Sequence, residues 1–225
     1  MPGTLFVVAT PIGNLNDLSN RAKETFASAD AILCEDTRVT SKLLAVIGVQ
    51  KTLVAYHQHS DETRTKQIIN RLRNGESLAL VTDAGTPGIS DPGGRLVEAV
   101  LNELGNTVNI SPIPGPCAAI AALSISGFPT DAFVFLGFPP HKKGRNAYFD
   151  RIAAIESTVV FYESTHRILK TLDHLGRVIV NRPIVVGREL TKLHETVYRG
   201  TVAEVTKQLE STSIKGEFVI VIRAK

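Results

Sequence analysis

The chain has 225 residues, which at about 150 residues per domain is enough for one large domain or two smaller ones. Its composition, with 43% hydrophobic and 21% charged residues, excludes collagen, coiled-coil and disordered proteins. Three of its 25 basic residues fall within 141–145 and the other 22 equal the 22 acidic residues, which excludes a uniformly basic surface that would bind any polyanion.

The cysteines and the amino terminus indicate the compartment. Cys34 and Cys117 have no Cys-x-x-Cys or His-rich partner, so neither a disulfide framework nor a structural zinc site is predicted. The first residues lack the basic region of a secretory signal. The longest run that resembles a membrane span, 117–123, is far shorter than the roughly 20 residues that a bilayer requires. We therefore expect a cytoplasmic protein that binds neither a membrane nor a metal.

The first half of the chain alternates short apolar runs with segments of helical period. The apolar runs predict strands at 4–9, 31–34, 53–56, 77–82 and 107–110. Apolar residues at helical spacing predict helices over 18–29, 40–47, 61–73 and 94–104. This alternation is typical of a largely parallel sheet with helices on both faces.

A proline-rich segment, 112–116, then predicts a domain boundary, with an α/β domain at 1–113 and a second domain at 114–225. Beyond it we expect strands at 133–136, 158–162, 184–186, 195–198 and 218–222. Helices are expected near 118–126, 146–155, 165–175 and 202–209. Some of these strands follow one another without a helix between them, which predicts a mixed sheet. The predicted fold class is therefore α/β with two domains.

Two loops directly follow predicted strands of the first domain, where open α/β sheets bind ligands. The segment 10–17 is neither a Gly-x-Gly-x-x-Gly fingerprint nor a P-loop, and it could equally be a turn that caps a helix through Asp17. The segment 83–94 contains four glycines and two prolines, so bare backbone can approach a ligand closely. Asp83 offers a carboxylate for an ammonium group or for ribose hydroxyls.

Two further segments of the second domain carry reactive side chains at strand ends. In 161–167 an aromatic pair precedes a carboxylate, an imidazole and a guanidinium, which can stack a base, accept a proton and hold a phosphate. Ordinary helix capping by Ser164 or Thr165 is the alternative. The segment 187–192 is also charged, and a surface ion pair between Arg188 and Glu189 would explain it equally well.

Seven segments, taken together and in order, resemble the bacterial small-subunit ribosomal RNA methyltransferase I family of the tetrapyrrole methylase superfamily. They are 10–15, 35–38, 83–93, 113–116, 135–138, 161–167 and 188–192. The resemblance implies a homodimer of two-domain protomers, with S-adenosylmethionine bound in the cleft between the parallel-sheet and mixed-sheet domains. It also implies 2′-O-methylation of a cytidine in 16S rRNA, with the rRNA or the assembled small subunit as substrate. Thr165 and Cys117 depart from the family, which usually has Pro and Ser there.

The resemblance also assigns site residues. Those implied to hold the cofactor are Pro11, Ile12, Asp83, Gly85, Thr86, Pro87, Gly88, Ser90, Pro116, Cys117, Ala118, Phe161 and Tyr162, the last two near the adenine. The candidates for the proton acceptor are Glu163 and Glu189, then His166, and Lys192 if burial lowers its pKa. The residues expected to contact RNA phosphates are Arg38, Arg167, Arg188 and, in the basic segment, Lys142, Lys143 and Arg145.

Other functions share these motifs. A tetrapyrrole or diphthine methyltransferase would have the same fold and cofactor and a different acceptor. A non-catalytic paralogue would bind RNA or S-adenosylmethionine without methyl transfer. The basic segment 141–145 could also be a solvated surface loop.

Overall fold

A computed structural model of the chain describes residues 3–57 and 62–225. The chain divides into two compact units, Met1–Cys117 and Ala118–Lys225, so the second unit begins two residues after Pro116, the last residue of the proline-rich segment. The domains predicted from the sequence meet four residues earlier, at 113. Asp61, the predicted first residue of a helix, lies outside the described residues.

The first unit contains a five-stranded parallel sheet. Its strands are β1 (Thr4–Val8), β2 (Ala31–Cys34), β3 (Leu53–Ala55), β4 (Ser77–Leu80) and β5 (Asn109–Ile113). They lie in the order β3-β2-β4-β1-β5, and every neighbouring pair is parallel. Every residue of β2 is buried, as are three of the four residues of β4, because helices cover both faces of the sheet. The parallel sheet predicted from the sequence is confirmed.

The helices of this unit are α1 (Asn20–Ser28), α2 (Thr37–Val46), α3 (Glu62–Arg73) and α4 (Gly93–Leu104). One core contains Phe26 of α1 and Leu44 of α2, and a separate core contains Leu72 of α3 and Leu96 of α4. Helices α1 and α2 therefore cover one face, and α3 and α4 cover the other. Since α1 follows β1 and α4 follows β4, the chain leaves these neighbouring strands toward opposite faces, an arrangement that opens a crevice at their carboxyl ends.

Pro112 lies inside β5 rather than in a linker. The sequence predicted a strand at 107–110 and a domain boundary at the proline-rich segment 112–116. Proline cannot donate a backbone hydrogen bond to a neighbouring strand. β5 is an edge strand that pairs with β1 alone, and Pro112 is aligned with Val7. An edge strand tolerates proline because one side of it needs no donor.

The second unit contains a mixed sheet. Its strands are β6 (Phe133–Phe135), β7 (Thr158–Ser164), β8 (Ile184–Arg188), β9 (Thr196–Gly200) and β10 (Glu217–Ile222). They lie in the order β6-β7-β10-β8-β9, with β6 and β7 parallel and the other three pairs antiparallel. The helices are α5 (Ala118–Ser124), α6 (Arg145–Ala154), α7 (Ile168–Val178) and α8 (Val202–Glu210). The mixed sheet predicted from the sequence is confirmed.

The helices are short. The longest in the described part of the chain, α3 and α4, have 12 residues each, and at about 1.5 Å per residue neither approaches the thickness of a bilayer. No helix within 3–57 or 62–225 has the length and apolar character of a membrane span.

Candidate functional site

Three loops meet at the carboxyl ends of β1, β4 and β5. The N–H of Thr10 donates to the carbonyl of Gly85 at 2.9 Å, and the N–H of Gly85 donates back to Thr10 at 3.1 Å. The Thr10 hydroxyl donates to the Thr82 carbonyl at 3.0 Å, and the Thr86 hydroxyl donates to the Pro116 carbonyl at 3.0 Å. These bonds join the segments 10–12, 82–91 and 115–117, which we call the strand-end cradle.

Two glycines make this close approach possible. A Cβ on Gly115 would lie 2.9 Å from the Cβ of Ala9, which is closer than carbon atoms tolerate. Gly85 has a φ of +89°, which side chains rarely adopt, and a Cβ there would lie 3.5 Å from the Ile12 side chain. Glycine is required at 115 for space and at 85 for backbone conformation.

The loop after β4 is organised by Asp91. Its Oδ1 accepts hydrogen bonds from the N–H groups of Gly88 at 2.9 Å and of Gly93 at 2.6 Å. Its Oδ2 is buried, and no described residue donates to it. Ser90, one residue earlier, has a φ of +65°. The side chain of Asp91 thus fixes the end of the loop where α4 begins.

Acidic side chains from β2 and β4 lie beside the cradle. The N–H of Asp36 donates to Oδ1 of Asp83 at 3.2 Å, which joins the ends of the two strands. Glu35 lines a cavity of about 320 Å³ together with Ser90, Asp91, Pro92 and Arg95. Partial burial, reinforced by the charges of Asp83 and Asp91, raises the pKa of the Glu35 carboxyl. Partial burial likewise raises the pKa of Asp83.

Glu35 lies in the segment 35–38 that contributed to the resemblance, but no site role was predicted for it from the sequence. Its position directly after the buried parallel strand β2 was the available signal. The pKa of the neighbouring Asp36 is shifted in the opposite direction, because hydrogen bonds from Arg38 lower it to about 2. Arg38 itself is 85% exposed and lies 2.6 Å from Asp36.

The aromatic pair expected near the adenine is divided between the two faces of β7. Phe161 is fully buried in the core of the second unit, with its ring 5.9 Å from that of Tyr148. The Tyr162 ring packs against Phe135 at 5.1 Å, and its hydroxyl accepts from the N–H of Ala119 at 3.2 Å. Successive side chains of a strand point to opposite faces, so the two rings cannot stack on the same base. The expectation of a cofactor contact is therefore corrected for Phe161.

Glu163, the first candidate for the proton acceptor, is completely buried and paired. Its Oε1 lies 2.9 Å from Nε of Arg167 and accepts from the N–H of Ser164 at 2.8 Å. Its Oε2 accepts from the hydroxyl of Thr171. A carboxylate so occupied is not available to take a proton from a ligand, so these contacts favour a structural role.

Glu189 and Lys192 pair with each other. Oε1 of Glu189 accepts from Nζ of Lys192 and from the N–H of Glu217, each at 2.9 Å. Burial acts to raise the pKa of Glu189, but these hydrogen bonds outweigh it and the pKa is lowered. Burial acts to lower the pKa of Lys192, but Glu217 and Glu189 outweigh it and the pKa is raised. The condition under which Lys192 was expected to act as a base is not met.

The residues expected to contact RNA fall into two groups. Arg38, Lys142 and Lys143 are exposed, as is the candidate base His166. The guanidinium of Arg188 donates to the carbonyl of Lys215 at 2.6 Å. The guanidinium groups of Arg145 and Arg167 also donate to backbone carbonyls, and the two side chains are 16% and 15% exposed. These three arginines hold the protein's own backbone, which favours a structural role for them, and their contact with RNA phosphates stays a prediction.

No three His, Cys, Asp or Glu side chains in the described ranges are grouped so that they could hold a metal ion.

The family model for tetrapyrrole (corrin/porphyrin) methylases matches residues 4–206. A ribosomal RNA small subunit methyltransferase I from Xylella fastidiosa is 47% identical over 99% of this chain and 82% of its own length. Proteins of the same name from Halalkalibacterium halodurans and from a Hydrogenobaculum species are 45% and 41% identical. They cover 98% and 97% of this chain, and 75% and 94% of their own lengths.

Solved structures with the same fold are more distant in sequence. A diphthine synthase matches with a TM-score of 0.73 at 16% identity, covering 99% of this chain and 90% of its own. The uroporphyrin-III C-methyltransferase of Thermus thermophilus, solved with S-adenosylhomocysteine, matches with a TM-score of 0.66 at 18% identity, covering 98% and 97%. They confirm the two-domain fold class. The chain therefore belongs to the tetrapyrrole methylase family of S-adenosylmethionine-dependent methyltransferases, and within it to the ribosomal RNA small subunit methyltransferase I proteins, as the sequence motifs predicted.

Proposed function

We propose that this protein transfers the methyl group of S-adenosylmethionine to the 2′-hydroxyl of a cytidine in 16S rRNA, either free or in the assembled small subunit. The observation that carries the proposal is the set of eight relatives, 41–47% identical over nearly the full chain, that share the name ribosomal RNA small subunit methyltransferase I. Such a substrate implies that the protein acts in the cytoplasm, where ribosomes are assembled.

The strand-end cradle fits the cofactor. It offers glycine backbone at Gly85 and Gly88, both with positive φ, where a ligand can approach without meeting a side chain. Asp83 adds a carboxylate that suits the ammonium group or the ribose hydroxyls. We propose that seven further residues of the first unit line the site: Pro11, Ile12, Thr86, Pro87, Ser90, Pro116 and Cys117. When bound, S-adenosylmethionine supplies a methyl group already activated by its sulfonium.

For the proton acceptor we propose Glu35. A base that removes a hydroxyl proton works best when its pKa lies near the working pH, and the pKa of Glu35 is raised. Glu35 also lines the cavity beside the cradle. Glu163 and Glu189, in contrast, are held by neighbouring cations. His166 stays a second prediction because it does not line that cavity.

The test is transfer of a tritiated methyl group to small subunits from a strain that lacks its own enzyme, followed by nucleoside analysis. We expect labelled 2′-O-methylcytidine. A uroporphyrinogen and a diphthine precursor serve as alternative acceptors, and labelling of either one instead of RNA contradicts the proposal. Cofactor binding without transfer to any of them would indicate a non-catalytic paralogue.

Glu35→Gln tests the base in the same assay. We expect kcat to fall by about 100-fold or more, which is the usual contribution of a general base. The affinity for S-adenosylhomocysteine should change little. The control is Glu98→Gln, at an exposed carboxylate on α4. An unchanged kcat for Glu35→Gln would contradict this assignment and would leave His166 as the candidate proton acceptor.

We also propose the homodimer that the resemblance implies. Ile120, Ile125 and Phe133 of the second unit are 52%, 42% and 40% exposed, which supports an apolar contact surface there. Analytical ultracentrifugation is the test, and a monomer at micromolar concentration would contradict it.

A further inference from the structure

A buried carboxylate in the second unit connects two arginines. The side chain of Glu163, on β7, is 0% exposed. Its Oε1 lies 2.9 Å from Nε of Arg167, and its Oε2 lies 3.7 Å from Nη2 of Arg145. Thr171 completes the cluster, because its hydroxyl donates to Oε2 and accepts from Nη2 of Arg145 at 2.6 Å. One anion therefore holds two guanidinium groups in fixed positions.

Both guanidinium groups extend from this carboxylate to the same short stretch of backbone. Nη1 of Arg167 donates to the carbonyl of Pro139 at 2.8 Å, and Nη1 of Arg145 donates to the carbonyl of Pro140 at 3.1 Å. Neither proline has an N–H, so their carbonyls are the only backbone groups by which these two residues can be held. The cluster fixes the start of the segment 139–144, which we call the basic loop.

The basic loop presents its charges to solvent. Lys142 and Lys143 are exposed, whereas Arg145, the first residue of α6, directly follows the loop and belongs to the cluster. Two arginines and one glutamate leave one positive charge, and the two lysines add two more. A fixed cationic loop of this kind suits an anionic polymer such as the phosphate backbone of RNA, which lysines meet as point charges.

We propose that Glu163 is a positioning residue for RNA, acting through Arg145 and Arg167 on the basic loop. The proposal rests on the rRNA substrate proposed above. In this proposal Glu163 does not accept a proton. Of the basic residues in 141–145, the two lysines contact RNA and Arg145 holds the loop in place. If the loop were loosened, each lysine would lose its fixed position and the affinity for RNA would fall, while the strand-end cradle of the first unit would be unaffected.

The test compares Glu163→Gln, a Lys142→Ala/Lys143→Ala double variant and their combination. We expect Glu163→Gln and the double variant each to raise the KM for small subunits about fivefold or more, since each disturbs phosphate contacts. The combination should be no worse than the larger of the two, because both act on the same loop. Amide hydrogen exchange at 141–144 should accelerate in Glu163→Gln. Affinity for S-adenosylhomocysteine should stay within about twofold of the parent.

Matched controls separate this role from a general loss of structure. Glu156→Gln changes an exposed carboxylate just before β7 and should leave every readout unchanged. If Glu163→Gln does not fold, as judged by circular dichroism, Arg145→Lys takes its place. It keeps the charge but loses the planar fork that reaches both Pro140 and Thr171, so the KM should rise in the same way.

Several outcomes would overturn the proposal. A fall in kcat at unchanged KM in Glu163→Gln would indicate that Glu163 is a proton acceptor rather than a positioning residue. Strictly additive effects of the Glu163 and lysine changes, or an unchanged KM in the double variant, would show that Glu163 does not act through the basic loop. A parent enzyme that methylates no small subunit would instead refute the proposed function, so the two failures are distinguishable.

Discussion

Thr10→Val tests whether the strand-end cradle depends on one buried hydroxyl. Thr10 is 2% exposed, and its hydroxyl donates to the Thr82 carbonyl at 3.0 Å. A second contact, to the Gly85 carbonyl at 3.5 Å, is too long to add much. Valine has nearly the same shape, so no cavity forms and the change removes only the hydrogen bond. Leaving a buried carbonyl without its donor costs about 1–3 kcal/mol.

We expect the free energy of unfolding of the first unit to fall by about 1.5 kcal/mol, measured by urea unfolding followed by circular dichroism. Because the loop with Gly85 is then held less firmly, the affinity for S-adenosylhomocysteine should fall about five- to tenfold in calorimetric titrations. The matched control is Thr25→Val, at a threonine of α1 that is 7% exposed and whose hydroxyl donates to the Arg21 carbonyl of the same helix. Equal and small effects of the two changes would refute the reasoning.

Three further predictions concern other contacts. Arg182→Met should lower the free energy of unfolding by about 2 kcal/mol in urea titrations. The reason is that Nη2 of Arg182 donates to the Arg223 carbonyl at 2.6 Å and Nη1 donates to carbonyls at the end of α6. The control is Arg177→Met, at a 70% exposed side chain, which should change the free energy of unfolding by less than about 0.5 kcal/mol. Gly115→Ala should weaken binding of S-adenosylhomocysteine, because its Cβ would lie 2.9 Å from that of Ala9; Gly176→Ala on α7 should not. The pKa of Glu189 is lowered in the folded protein, so its contribution to stability is present above its unfolded pKa and is lost as the pH falls through the folded pKa. The difference in Tm between the parent and Glu189→Gln should therefore shrink from pH 6 to pH 3. A difference in Tm that stays constant over this range would contradict the prediction.

Local patterns in the sequence were enough to predict the elements and the loops that carry the site. Short β-branched runs separated by helical periods predicted the strands of the first unit, and 83–94 was recognisable as a ligand loop from its glycines and prolines. These features depend on residues close together in the chain. Spacing alone also predicted that such loops share one edge, because the carboxyl ends of parallel strands meet there.

Only the tertiary structure decided which charged side chains are available. Arg145 and Lys143 lie two residues apart in one basic segment. Arg145 nevertheless pairs with the buried carboxylate of Glu163, 18 positions further along the chain, whereas Lys143 is exposed. Phe161 and Tyr162 are adjacent but face opposite sides of a strand whose covered face depends on where α6 and α7 pack. Partial burial, together with the charges of Asp83 and Asp91 in the loop after β4, raises the pKa of Glu35. The sequence by itself determined the local elements and loops, whereas burial and pairing of charges depend on contacts between distant segments, and a pattern of neighbouring residues does not encode those contacts.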